Sequence, residues 1–164
     1  KAICEKISNY ANLIHGKITE GKEILVLEYK QSTNSDFGQK LKNSKSEDLR
    51  KGYTTVGPHR DDFIFNVNGK NVMTYGSQGQ QRTVALSLKL AETETFYKRT
   101  GEYPILILDD VLSELDKKRQ RKLVGAVEHL QTIFTATNID RTIFKGRAFN
   151  KLTVTAGKVK QVNK

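Results

Sequence analysis

The chain has 164 residues, a formal net charge of +10 and a hydrophobic content of 37%, enough for one core or for parts of two domains. Its single cysteine, Cys4, excludes an internal disulfide, and no apolar run approaches the roughly 18 residues that a membrane span needs. No signal-peptide pattern opens the chain. We therefore expect a soluble, cytoplasmic protein.

Positive charge is concentrated in the last third of the chain. Residues 117–164 contain twelve Lys or Arg against two Asp or Glu, a net charge of +10, whereas residues 1–52 carry +3 and residues 53–116 carry −3. Such asymmetry favours a surface that faces a polyanion, most often nucleic acid. A hydrated basic face that binds nothing is the alternative.

Two helices and a strand are predicted before residue 53. Apolar residues at helical spacing over residues 1–15 predict an amphipathic helix that stops near Gly16. Residues 23–31 predict a strand, and the apolar positions within residues 32–52 indicate a second helix.

A polar cluster follows the turn predicted at Gly57-Pro58. It consists of His59, Arg60, Asp61 and Asp62. One interpretation makes the histidine and the two aspartates a metal site, and loop polarity with ion pairing is the commoner alternative. After it, residues 63–67 and 71–75 predict a β-hairpin with Asn68-Gly69 as its turn.

The stretch at residues 75–81, YGSQGQQ, precedes a helix that is predicted to be largely buried and to end near Gly101. Two glycines, a serine and amide side chains allow backbone N–H groups to point at an anion, where the helix dipole also favours negative charge. An ordinary helix N-cap is the alternative.

An unbroken apolar run at residues 105–108 predicts a strand that is buried on both faces. Asp109 and Asp110 follow it directly. Ligands of open α/β sheets bind at the carboxyl end of central strands, so the pair indicates a site for Mg²⁺ and phosphate. An acidic turn without a ligand is the alternative.

Basic residues open a helix that is predicted from residue 117 to about residue 130. They are Lys117, Lys118, Arg119, Arg121 and Lys122. Each opposes the helix macrodipole by roughly 0.3–1 kcal/mol, which favours an anionic partner such as DNA, or a well-hydrated face. Residues 132–137 and 151–155 predict two further strands.

Taken in order, the SQGQ segment at a helix start, the strand ending in two acids and Leu115-Asp116 beyond it resemble the ATP-binding-cassette (ABC) superfamily. The likeness is to its branch of structural-maintenance-of-chromosomes (SMC) and Rad50-like proteins, and to bacterial DNA repair members in particular. YTTVGPHRDD, GSQGQQRT and LDDVLSELD are similar to hallmark segments of those members in order and spacing. The resemblance is detailed from about residue 45 to residue 140.

The resemblance implies an α/β fold, the C-terminal half of a P-loop NTPase head of the ABC/SMC type. Residues 56–164 would belong to that half and residues 1–55 to part of a helical arm domain. No G-x-x-x-x-G-K-[ST] phosphate loop occurs in the sequence. We therefore expect a C-terminal fragment that lacks the Walker A motif and does not hydrolyse ATP alone.

The resemblance also assigns roles to individual residues. Asp109 matches the Walker B carboxylate that holds Mg²⁺, Asp110 the catalytic carboxylate that directs the attacking water, and Leu115-Asp116 the D-loop that crosses a dimer interface. The signature motif, which reaches the γ-phosphate of ATP held by the opposite subunit, is matched by Gly76, Ser77, Gln78, Gly79 and Gln80. Phosphoryl transfer needs such charge neutralisation, phosphate donors and one aligned water.

Two positions depart from the pattern of that superfamily. Most members have glutamate where Asp110 stands, and losing one methylene withdraws the carboxylate by about 1.5 Å, a misplacement that costs on the order of a hundredfold in rate. Thr137 stands where many relatives have a switch histidine, and it carries no charge. We predict slow hydrolysis, with ATP acting mainly as a dimerisation switch.

For an intact protein the resemblance implies an ATP-dependent homodimer that binds DNA at junctions of single and double strands. Recombination mediator proteins would be its partners in recombinase loading, gap repair and the SOS response. The alternative is a non-enzymatic module that uses the same fold to bind DNA or a partner protein.

Overall fold

The computed structural model describes residues 2–33 and 36–162, apart from the side chain of Ala2. Contacts divide the chain into two compact units, Lys1–Pro104 and Ile105–Lys164. None of the described helices is long and apolar enough to cross a membrane.

The first unit is built from helices and a small antiparallel sheet. Its helices are α1 (Ala2–Thr19), α2 (Phe37–Lys51), α3 (Val72–Tyr75) and α4 (Gln78–Thr100), and α1 packs against α4. Its strands are β1 (Leu25–Lys30), β2 (Asp62–Val67) and β3 (Lys70–Asn71), with β2 between the other two. A 3-10 turn, Pro58–Arg60, precedes β2.

The core of this unit joins α1, α4 and the sheet. Its buried members are Ala11, Leu25, Val67, Val72, Val84 and Ala91, with half-buried residues of α1 packed around them. The predicted amphipathic character of α1 is confirmed, but the predicted stop at Gly16 is wrong, because the helix continues to Thr19. A helical glycine costs only about 1 kcal/mol, which packing against α4 offsets.

The β1–β2 pairing also bears on the predicted domain boundary at residue 55. The two strands lie on opposite sides of that residue, and they pair in register from Leu25 with Val67 to Lys30 with Asp62. The contacts therefore join both sides of residue 55 in one sheet, and the two compact units meet in sequence after Pro104. The assignment of residues 1–55 to an arm domain stays a prediction.

The hairpin prediction is correct at its turn and wrong in its second strand. Asn68 (φ 51°) and Gly69 (φ 78°) are both left-handed, as a type I′ turn requires. Strand β3 ends at Asn71, whose side chain accepts a hydrogen bond from the Met73 N–H at 2.9 Å and begins α3 instead. Val72 is thereby turned into the core, at 1% exposure.

The second unit has a pair of parallel strands and a separate hairpin. Strands β4 (Leu106–Asp109) and β5 (Thr132–Thr135) are parallel, and β6 (Lys151–Thr155) and β7 (Lys158–Val162) are antiparallel. Helix α5 (Lys117–Ala126) is about one turn shorter than predicted, and 3-10 helices cover Val111–Glu114 and Arg141–Phe144.

The apolar run predicted that strand β4 is buried on both faces, and this prediction is wrong. Leu108 is 5% exposed, whereas Ile107 is 64% exposed. Among the described strands β4 pairs with β5 alone, so its apolar side chains alternate between a covered and an uncovered face.

Candidate functional site

Ser77 caps the N-terminus of α4 through a complete capping box. The Gln80 N–H donates to Ser77 Oγ at 3.2 Å, and the Ser77 N–H donates to Gln80 Oε1 at 3.0 Å. Ser77 and Gln78 are exposed, and the first N–H groups of any helix lack acceptors within it. An exposed hydroxyl thus stands beside N–H groups at the positive end of a 23-residue helix, an arrangement suited to phosphate oxygens.

Close packing fixes the backbone of this segment. A Cβ on Gly76 would lie 2.4 Å from both the carbonyl oxygen and Cγ2 of Val72, so only glycine fits there without displacing α3. The Gln81 side chain donates to the carbonyl oxygens of Val72 at 3.2 Å and Gly76 at 3.4 Å. The predicted signature residues are therefore held as one unit between α3 and α4.

The acidic pair lies at the carboxyl end of β4, where it was predicted. Asp109 is aligned with Thr135 across the parallel strands, and the Thr135 hydroxyl donates to Asp109 Oδ1. Both aspartates are exposed. Exposed carboxylate oxygens at a strand end are the hard ligands that Mg²⁺ prefers, so this donor set fits the ion.

Asp110 leaves the strand in an unusual backbone conformation. Its φ is 51°, in the left-handed region that few residues other than glycine, asparagine and aspartate adopt. Its N–H lies 3.2 Å from the carbonyl oxygen and 3.1 Å from the hydroxyl of Thr135. The chain therefore turns out of the strand at Asp110, directly after Asp109.

Thr135 is the residue that the sequence reasoning missed. Its hydroxyl contacts both members of the acidic pair, whereas Thr137, the predicted switch position, is exposed two residues beyond β5. The signal that could have identified Thr135 is the parallel register that pairs it with Asp109. The sequence of either strand alone does not reveal that register.

The two D-loop positions have opposite environments. Leu115 is buried, at 7% exposure, and its carbonyl oxygen accepts from Gln120 Nε2 at 3.0 Å. Asp116 is exposed and caps α5, accepting from the N–H groups of Lys118 and Arg119 at 3.0 Å each. The capping carboxylate offsets the basic residues that open this helix.

The five basic residues of α5 divide into two sets. Lys117 Nζ lies 3.1 Å from Asp140 Oδ2, and Arg119 Nε lies 3.5 Å from Asp116 Oδ2. Hydrogen bonds from Thr142 and from Lys117 lower the pKa of Asp140 to about 2. Lys118, Arg121 and Lys122 share one exposed face of the helix.

The polar cluster after Gly57-Pro58 links its loop to the end of β1. Asp61 accepts from the Tyr29 hydroxyl and from the N–H and hydroxyl of Ser32, at 2.8 and 2.9 Å. These hydrogen bonds lower the pKa of Asp61, and the bond from the Tyr29 hydroxyl has the largest effect. His59 Nε2 lies 2.9 Å from the Thr54 carbonyl oxygen. No group of three or more His, Cys, Asp or Glu within residues 2–33 and 36–162 is arranged to hold a metal ion.

The chain is similar to known proteins over most of its length. It is 48% identical over 149 residues to the DNA replication and repair protein RecF of Enterococcus faecalis, a match that covers 83% of this chain and 40% of that protein. RecF of Listeria welshimeri is 49% identical over 145 residues, covering 82% of this chain and 39% of that protein. No protein-family profile matches the chain.

Solved structures carry the same fold. The recombination mediator protein RecF, solved as RecF-ATP in the RecFOR pathway, matches 97% of this chain with 33% identity and a TM-score of 0.73, over 44% of its own length. An SMC ATPase matches 98% of this chain and 84% of its own, with 16% identity and a TM-score of 0.59, a likeness in fold alone. The predicted α/β fold of the ABC/SMC ATPase head is confirmed.

Proposed function

We propose that this chain, which belongs to the RecF family of DNA replication and repair proteins, is part of a head that dimerises around ATP in a DNA-binding repair protein. It spans about 40% of the length of the curated relatives that it matches, so the proposal concerns a full-length protein carrying this sequence. The observation that carries it is the exposed pair Asp109 and Asp110 at the end of β4, braced by Thr135.

In this proposal the acidic pair performs two tasks. Asp109 would hold Mg²⁺ through its carboxylate, which the Thr135 hydroxyl orients. The ion would supply charge neutralisation at the phosphates. Asp110 would direct the attacking water and accept its proton at a carboxylate oxygen. Because its side chain is one methylene shorter than glutamate, we propose that hydrolysis is slow.

The signature segment would act on the nucleotide of the opposite subunit. The Ser77 hydroxyl accepts from the Gln80 N–H, so its own proton remains able to donate to a γ-phosphate oxygen. The N–H groups at the start of α4 add donors of fixed direction. Asp116 would cross the dimer interface, and Thr137 would take the switch position as an uncharged donor.

DNA binding would use the basic surface of the second unit. Lys118, Arg121 and Lys122 form one exposed face of α5, and the β6–β7 register sets Lys151, Lys158 and Lys160 on one face of the hairpin. We propose that the intact protein acts in the cytoplasm on junctions of single and double strands. RecR and RecO would be its partners in recombinase loading, gap repair and the SOS response.

Dimerisation of a full-length protein carrying this sequence tests the proposal. Light scattering with and without Mg²⁺-ATP should give a dimer only with nucleotide, and Ser77→Ala should weaken that dimer. Ser46→Ala, on the exposed surface of α2, is the matched control and should have no effect. A Ser77→Ala protein that dimerises like the unchanged one would contradict the proposed role of the signature segment.

Calorimetry on the 164-residue chain provides a second test. Titration with Mg²⁺-ATP should show no binding, because the sequence has no Walker A motif. Micromolar affinity would mean that the chain contains another phosphate loop, and the assignment of the phosphate site would then be wrong.

A further inference from the structure

His15 is a buried titratable residue that the proposed nucleotide chemistry does not use. It lies on α1 with its side chain 0% exposed. Its Nδ1 is 3.2 Å from Ser87 Oγ on α4, and its Nε2 is 3.0 Å from Glu23 Oε2. The imidazole therefore joins α1 to α4 and to the loop before β1.

The neighbouring groups define which ring atoms donate. The Ser87 hydroxyl donates to the Thr83 carbonyl oxygen at 2.7 Å, so its oxygen accepts from His15 Nδ1–H. A carboxylate only accepts, so Nε2 donates to Glu23. The contact between His15 and Glu23 is largely shielded from water, because the side chain of Glu23 is only 15% exposed. Removing one partner of such a contact leaves a desolvated group without compensation.

Glu23 also contacts the signature segment. Its second oxygen, Oε1, accepts from Gln80 Nε2 at 3.0 Å, which turns Gln80 Oε1 toward the Ser77 N–H. With the carboxamide reversed, an NH₂ group would face that N–H, and the capping box would lose one of its two bonds. Glu23 thus selects the amide orientation that closes the box around Ser77.

We propose that His15 and Glu23 are positioning residues for the signature segment. They fix the Gln80 carboxamide, and through it the N-cap geometry that presents the Ser77 hydroxyl to the nucleotide of the opposite subunit. The inference rests on the proposed role of Ser77, and it makes α1 part of the apparatus through which the dimer senses ATP.

Substitutions at Glu23 separate hydrogen bonding from charge. In Glu23→Gln, the new carbonyl oxygen accepts from Gln80, and the new NH₂ donates to Nε2 of a neutral His15 that keeps its Nδ1 proton. Every contact is then preserved without the carboxylate charge. In Glu23→Ala, both contacts are lost. Glu28→Ala is the matched control, because Glu28 is on the exposed sheet surface, where its Oε1 accepts from the Asn66 carboxamide at 2.8 Å.

The experiment measures two quantities in a full-length protein carrying this sequence: the ATP affinity of the monomer and the dissociation constant of the ATP-bound dimer. Glu23→Ala should weaken the dimer about tenfold, the size expected for loss of a charge-assisted hydrogen bond, and leave monomer affinity for ATP within about twofold. Glu23→Gln and Glu28→Ala should dimerise like the unchanged protein. A role in general stability would instead weaken both ATP binding by the monomer and dimerisation, or lower the melting temperature alone.

Gln80→Leu covers the case in which Glu23→Ala fails to fold. It removes the carboxamide but keeps the His15–Glu23 pair, and it should weaken the dimer by about the same factor. Unchanged dimerisation in a folded Glu23→Ala or Gln80→Leu protein overturns the inference, provided that Ser77→Ala weakens the dimer. If Ser77→Ala also has no effect, the proposed function itself is wrong.

Discussion

The Thr135 hydroxyl donates to the Asp109 carboxylate across the parallel strands β4 and β5. The same residue accepts from the Asp110 N–H through its carbonyl and hydroxyl oxygens. One threonine therefore restrains the carboxylate of Asp109 and the backbone of Asp110, although it lies 26 residues from Asp109 in sequence.

Thr135→Val tests this restraint. The change keeps the β-branched shape but removes the hydroxyl, so Asp109 loses a fixed orientation. In a full-length protein, Mg²⁺-ATP affinity should fall roughly 3–10-fold, the effect of one hydrogen bond, and Thr135→Ser should restore it. Thr132→Val, on the same strand but bonded to the Leu130 carbonyl, is the control. Unaltered affinity in Thr135→Val would show that Asp109 needs no such support.

Asp110→Glu tests the explanation for slow hydrolysis. The added methylene moves the carboxylate outward by about 1.5 Å, and steady-state turnover of the full-length protein should rise by up to about a hundredfold. Asp110→Asn should abolish turnover while preserving the fold, because asparagine tolerates the left-handed backbone at φ 51°. Equal turnover in the glutamate variant and the unchanged protein would refute the explanation.

Gly76→Ala tests the close packing below the signature segment. The added methyl meets the Val72 carbonyl at 2.4 Å, so the free energy of unfolding should fall by about 1–3 kcal/mol. Gly125→Ala, inside α5, meets only the end of the Arg147 side chain at 3.2 Å and should be neutral or stabilising. Urea denaturation of both variants checks this, and equal effects would count against the steric argument.

Removal of the basic face of α5 tests its role in DNA binding. If Lys118, Arg121 and Lys122 contact phosphates, the triple alanine variant should weaken duplex binding for all sequences. The slope of log K against log salt should fall by about 0.9 for each lost contact. The control replaces three exposed lysines of α2, namely Lys40, Lys42 and Lys45. An unchanged slope would identify the α5 face as a hydrated surface.

The Asp140 carboxylate should make the free energy of unfolding depend on pH in the acidic range. Hydrogen bonds from Thr142 hold its pKa at about 2, below the ordinary value of 3.8. Because the folded-state pKa is the lower one, the stabilisation is complete above pH 3.8 and is lost as pH falls toward 2. NMR titration should give the low value in the unchanged chain and a higher one in Thr142→Val. The same midpoint in both would exclude Thr142 as the cause.

Local patterns in the sequence predicted what local forces determine. The end of α4 at Gly101 (φ 81°) and the Asn68-Gly69 turn each depend on a few neighbouring residues. The acidic pair at the end of β4 was found in the same way, because an apolar run followed by two aspartates is contiguous in sequence.

Contacts between distant residues were not predictable in that way. The bond from Thr135 to Asp109 depends on strand register, and the bond from His15 to Ser87 depends on how α1 packs against α4. The predicted return strand after Gly69 failed for a related reason. Burial of Val72 in a core formed by distant elements favoured a helical turn over continued pairing.

The packing of α1 against α4 has a consequence for synthesis on the ribosome. His15 and Ser87 are 72 residues apart, so at about 5–20 residues per second the apolar side of α1 emerges roughly 4–14 s before its partner exists. During that interval strand β1, but not α4, is present to pack against α1 and Ala11. Helix α1 is therefore a segment that we expect nascent-chain chaperones to engage until translation has passed Ala91.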